Sequence, residues 1–112
     1  MEAVRKPQSA AAEAIAQAFV SARLKAVALP DFPGVLPADL NAAYAVQNVA
    51  IDIFPDEVAG WKIGKMPADL IAPLGAKSVS GPVFRKDVHD AAPGGTVEYG
   101  MFVGGFAAVE AE

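Results

Sequence analysis

The stretch EVAGWKIGK (residues 57–65) divides the chain. It is the first segment that reads as a strand, and what precedes it reads as helix or connecting loop. Within it Trp61 and Ile63 share one face while Gly60, Lys62 and Gly64 share the other, because side chains alternate along a strand. Glycines flanking a lysine on its own face remove the neighbouring side chains and let a ligand or another backbone approach. A lysine in such a slot can bind a carboxylate or, when desolvated, serve as an acid or base near neutral pH. An edge-strand lysine between turn glycines accounts for the same pattern, so the motif by itself leaves both readings open.

Upstream, residues 9–28 read as a helix. Ser9 suits the N-cap, Glu13 the positive end, and Arg23 and Lys25 the negative end. Ile15, Phe19, Ala22 and Ala26 form its apolar stripe. The prolines of LPDFPGVLP (29–37) exclude helix and central strand, so this is a connecting loop. A second helix starts near Pro37 or Asp39 and carries Leu40, Tyr44, Gln47, Ile51 and Phe54 on one face. A glutamine in that stripe either hydrogen-bonds something specific or marks an exposed end.

Downstream comes MPADLIAPLG, with Pro67 suited to a first helical position and Gly75 to a C-terminal cap. Short strands and turns are expected after it: GPVF (81–84), DVHDA (87–91), a turn at PGG (93–95), TVEYGMF (96–102) and GGFAAVEAE (104–112). Helices first and strands later predict an α+β class, with a helical part over about 9–56 and a β-rich part over about 57–112.

The bulk properties narrow the partners. A chain of 112 residues is one domain's worth, 54% hydrophobic and 20% charged, which excludes a disordered tail. Much of the apolar content is alanine, so a core is expected but a thin one. The net charge of −4 and the scattered basic residues supply no phosphate-tracking stripe, which argues against nucleic acid. Without cysteine, disulfides and thiolate metal sites are excluded, and one histidine makes a zinc site improbable; any metal must be a hard, oxygen-liganded ion. The Ala-rich N-terminal region is interrupted by Glu13, Gln17, Arg23 and Lys25, too polar for a bilayer span and unlike a secretory signal. A cytoplasmic protein with no membrane partner is expected.

A second candidate for chemistry is AVEAE (108–112). As a strand it places Glu110 and Glu112 on one face with Cα atoms about 6.6–6.8 Å apart, close enough for both carboxylates to reach one divalent ion. A solvated strand face explains the pair as well. His89 has no evident partners, GGF (104–106) is too short for a phosphate loop, and no serine sits in a nucleophile elbow.

Taken together and in order, AAYAVQ (42–47), GWKIG (60–64), LGAKSVSGPVF (74–84) and VEAE (109–112) resemble the 2-keto-4-pentenoate hydratase branch of the fumarylacetoacetate hydrolase superfamily. The likeness runs from about residue 10 onward, and GWKIG followed some fifty residues later by Glu-x-Glu is its specific part. The resemblance implies that Glu110 and Glu112 bind Mg²⁺ or Mn²⁺, with an aspartate further along the chain as third ligand. It implies an active-site role for Lys62, with Gly60 and Gly64 lining the substrate pocket. It also implies hydration of 2-hydroxypenta-2,4-dienoate-type substrates in aromatic catabolism, a homo-oligomer, and the start of a mixed β-roll. On this view residues 1–112 are the N-terminal part of a longer protein and inactive alone. Lys77, Val79 and Ser80 stand where many relatives carry an acidic residue before the glycine matching Gly81, which leaves the substrate open. A 2-oxo acid decarboxylase or hydrolase of the same superfamily and a non-catalytic partner-binding domain are the alternatives.

Overall fold

The computed structural model describes residues 9–111. Helix α1 spans Ala10–Lys25 and α2 spans Leu40–Ile53; strand β1 (Val58–Lys65), helix α3 (Ala68–Leu74) and strand β2 (Ser78–Phe84) follow. A short 3₁₀ turn at Arg85–Asp87 closes the regular part. The class is α+β: N-terminal helices followed by a two-stranded antiparallel sheet.

The helix starts are made by the residues best suited to make them. Ser9 Oγ accepts a hydrogen bond from the Ala12 amide at 3.1 Å, and Asp39 Oδ1 accepts one from the Ala42 amide at 2.8 Å. Gly75 ends α3 in the left-handed region, as its place in the sequence predicts. Pro67 is the N-cap of α3 rather than its first helical residue.

Helix α1 ends at Lys25 rather than 28, because Ala26 turns left-handed with φ 54°. That turn aims the Ala26 carbonyl at Val103, whose amide donates to it at 2.8 Å, and the Ala28 amide donates back to the Val103 carbonyl at 2.9 Å. A non-glycine residue in this region carries a penalty of about 1 kcal/mol, offset here by those two bonds.

The core lies between α1, α2 and the end of β2. Ala12, Ile15, Ala16 and Val20 come from α1, Val49 from α2, and Phe54 and Phe84 close it. The Phe54 and Phe84 rings stack at 4.0 Å between centroids, and the Arg23 guanidinium lies over both. Phe19 is half-exposed and meets the ring of Phe32 edge-on at 5.6 Å, so the proline-rich loop folds back on α1. Gly34 lets it: φ is +144°, and a Cβ there would fall 2.9 Å from Ile15 Cγ1. Among the described residues no large side chain is completely buried, which matches the thin core expected from so much alanine.

The expected strands after Phe84 are corrected by the structure. Residues 87–91, 96–102 and the described part of 104–112 form no strand; Val103 makes one isolated bridge to Val27 and the rest is irregular. Turns at Ala92–Gly95 and Phe102–Gly105 do form, the first within the expected PGG turn. The apolar alternation Val97, Tyr99, Met101, Val103 is real, but a strand needs a ladder partner, and among the described residues the pairing stops at the single Val27–Val103 bridge.

Candidate functional site

Strand β1 pairs with β2 in a register that puts Lys62 opposite Gly81, Gly60 opposite Val83 and Gly64 opposite Val79. Residues directly opposite share a face, so Lys62 is surrounded by Gly60 and Gly64 on its own strand and Gly81 on the next. A Cβ at Gly60 would meet nothing within 4 Å, and one at Gly64 would only touch Val79 Cγ2 at 3.9 Å. The result is a clearing around an exposed lysine, edged by Val79 and Val83.

The clearing is held in place by α2. The Ser80 amide donates to Tyr44 Oη at 3.0 Å, and Gln47 Nε2 donates to the Ser80 carbonyl at 3.0 Å. Tyr44 and Gln47 are one helical turn apart, so one face of α2 grips both backbone groups of a single β2 residue. The glutamine in the apolar stripe therefore has a specific partner. Gln47 Nε2 also lies 3.7 Å from where a Gly81 Cβ would be, bringing α2 up to the residue opposite Lys62.

Charged contacts fasten the strand ends. Arg85 Nε bonds Glu57 Oε1 at 3.2 Å, and the Lys86 amide bonds Asp56 Oδ2 at 2.9 Å. That amide is the largest cause holding the Asp56 carboxyl below its ordinary pKa. Arg23 bonds Asp87 Oδ2 at 3.2 Å while covering the stacked rings, joining α1 to the 3₁₀ turn.

Two larger hollows lie elsewhere. A cavity of about 350 Å³ between α1, α2 and β2 is walled by Phe19, Phe32, Ile51, Phe54, Pro82 and Phe84, with Arg23 and Gln47 at its rim. A second, of about 830 Å³, lies by Arg23, Lys86, His89, Glu98 and Tyr99. Neither has Lys62, Gly60, Gly64 or Glu110 in its lining.

Glu110 is exposed on irregular chain, and Glu112 lies outside the described residues. Among the described residues no three His, Asp or Glu side chains gather closely enough to hold a metal ion. Lys62, Gly60 and Gly64 are brought together on β1, then, while Glu110 does not stand on the strand expected for it. Gly81 as the neighbour across from Lys62 is what sequence reasoning missed. The β1–β2 connection runs through α3, so no turn length fixes the register and no local signal reports it.

No family model matches the chain, and searches of curated proteins and of solved structures found no match either.

Proposed function

We propose that residues 1–112 are the N-terminal part of a divalent-metal-dependent hydratase acting on 2-hydroxypenta-2,4-dienoate-type substrates in aromatic catabolism. The observation that carries this reading is Lys62 standing between Gly60 and Gly64 and opposite Gly81. Gly60, Gly64 and Gly81 bring no side chain of their own to the Lys62 face, and its ammonium would orient the carboxylate of a small 2-oxo or 2-hydroxydienoic acid there. Val79 and Val83, flanking the clearing, offer an apolar surface to the hydrocarbon end of such a substrate.

Mg²⁺ or Mn²⁺ belongs to the proposal through the motif order. The described residues do not make a metal centre as they stand: Glu110 is exposed on irregular chain, and no three carboxylate or imidazole side chains gather among them. Among the described residues, the contribution to the chemistry is substrate orientation and proton handling at the Lys62 Nζ. A decarboxylase or hydrolase of the same superfamily would use the lysine in the same way.

The test combines turnover with a paramagnetic probe. The 112-residue chain is expected to show no Mg²⁺-dependent hydration. Mn²⁺ is expected to bind weakly and to broaden amide resonances around Glu110 first, with the effect lost in Glu110→Gln. Hydration at the rate of a complete enzyme contradicts the N-terminal-part reading; broadening that ignores Glu110→Gln contradicts the metal assignment.

The exposure of Tyr99, Phe106 and Val109 favours one rival, a non-catalytic domain that binds a partner through residues 97–109. A chain that binds no 2-oxo acid at Lys62 but loses a protein partner on Phe106→Ser is that domain.

A further inference from the structure

Gln47 brings a second hydrogen-bond donor to the Lys62 face of the sheet. Its Nε2 donates to the Ser80 carbonyl at 3.0 Å, which fixes the orientation of the amide, since a carbonyl oxygen only accepts. A primary amide carries two N–H groups, and among the described residues the Ser80 bond accounts for one of them. The same nitrogen lies 3.7 Å from the position that a Gly81 Cβ would take. That position is on the Lys62 face, because residues directly opposite in an antiparallel pair share a face. The Lys62 Cβ stands about 4.5–5.5 Å from it, as in any such pair. An amide nitrogen and a lysine on its flexible stem therefore flank the Gly81 Cα from two sides.

Neither the backbone nor the packing demands glycine at that point. Gly81 lies outside the left-handed region, and a Cβ on it would make an ordinary van der Waals contact with Gln47. What a side chain there would do is fill the space between Gln47 Nε2 and Lys62. The half-buried Gln47 is carried by α2, a helix anchored on the same β2 residue by Tyr44, so the amide is held against Gly81 from a rigid element.

We infer that Gln47 is a second ligand-binding residue of the Lys62 site: it donates its other Nε2 N–H to the C2 oxygen of a 2-oxo acid whose carboxylate is held by the Lys62 ammonium over Gly81. The two oxygens stand on adjacent carbons of such an acid, so a ligand lying over Gly81 presents one to each donor. A plain carboxylic acid has no C2 oxygen and satisfies the ammonium alone. This role rests on the 2-oxo acid reading of the Lys62 site and adds the residue that tells a 2-oxo acid from a plain one.

The experiment is a pair of titrations of the ¹⁵N-labelled chain, with 2-oxopentanoate and with pentanoate. The native chain is expected to prefer 2-oxopentanoate ~tenfold, the worth of one good hydrogen bond. Gln47→Leu is expected to abolish that preference and leave pentanoate binding unchanged, whereas Lys62→Met weakens both acids. Tyr44→Phe is the control for strand placement: it releases the Ser80 amide from α2 without removing the Gln47 donor, and the preference must survive it. Gly81→Ala leaves the Gln47–Ser80 bond in place and sets a methyl between the two donors, so the preference must fall there too. Equal binding of the two acids by the native chain overturns the inference while leaving the Lys62 reading intact. A preference that persists in Gln47→Leu or in Gly81→Ala, or one that Tyr44→Phe abolishes, overturns it as well. A native chain that binds neither acid refutes the Lys62 reading itself, and this role with it.

Discussion

Residues 9–87 and residues 88–111 are alike in apolar content and opposite in organisation. In the first region each element finds a partner: α1 packs on α2, Phe54 stacks on Phe84, and α2 grips β2 through Tyr44 and Gln47. In the second, Val97, Tyr99, Met101, Phe106 and Val109 are well exposed, and the backbone bridge from Val103 to Val27 attaches the segment to α1's end. The difference is not hydrophobicity, since both regions are rich in apolar side chains. It is closure. A helix satisfies its own backbone and needs only one apolar stripe covered, whereas a strand needs another strand beside it before its apolar alternation has any use.

That contrast predicts where substitutions will hurt. Phe84→Ala removes the buried ring that joins β2 to the helices, and a loss of about 3 kcal/mol in urea unfolding is expected, the largest effect of all. Gly34→Ala comes next, at about 2 kcal/mol, because the added methyl must displace Ile15 from a backbone conformation that L-residues avoid. If either change proves silent, the packed region is not held together as described. Tyr44→Phe deletes the acceptor of the Ser80 amide and should lower stability by about 1 kcal/mol, with faster exchange of that amide as its signature. Ala26→Gly relieves a left-handed alanine and should instead raise stability, by about 0.5–1 kcal/mol. Phe106→Ser, in the second region, should change stability by less than about 0.5 kcal/mol despite losing a whole ring, since that ring is 93% exposed. A large loss there would mean that residues 88–111 are packed after all.

The same distinction sorts what the sequence disclosed. Local signals were legible: Ser9 and Asp39 as caps, Gly75 as the end of α3, the proline-rich break, and the β1 alternation are each read from a few adjacent residues. The oddity of Gln47 was legible too, although its partner was not, because Ser80 is thirty-three positions away. The end of α1 at Ala26 had no local cue, since alanine is the best helix former, and its partner Val103 is distant in sequence. The expected strands beyond Phe84 failed for the converse reason: their alternation is a local property, and strand formation is not. In the candidate site, Gly60, Lys62 and Gly64 could be read along one strand, but Gly81 came into view only with the register of β2. Glu110 and Glu112 were paired on the assumption of a strand, which the described residues up to Ala111 do not form.

The hydratase reading turns on whether the glycine clearing around Lys62 recognises a small carboxylic acid. The most direct test is a titration of the ¹⁵N-labelled chain with 2-oxopentanoate, repeated with Lys62→Met. The proposed function predicts saturable shifts confined to the amides of Gly60 to Gly64 and of Gly81, and their loss in the variant while the rest of the spectrum is preserved. Shifts that never saturate, that spread over residues 97–109, or that survive Lys62→Met would contradict it.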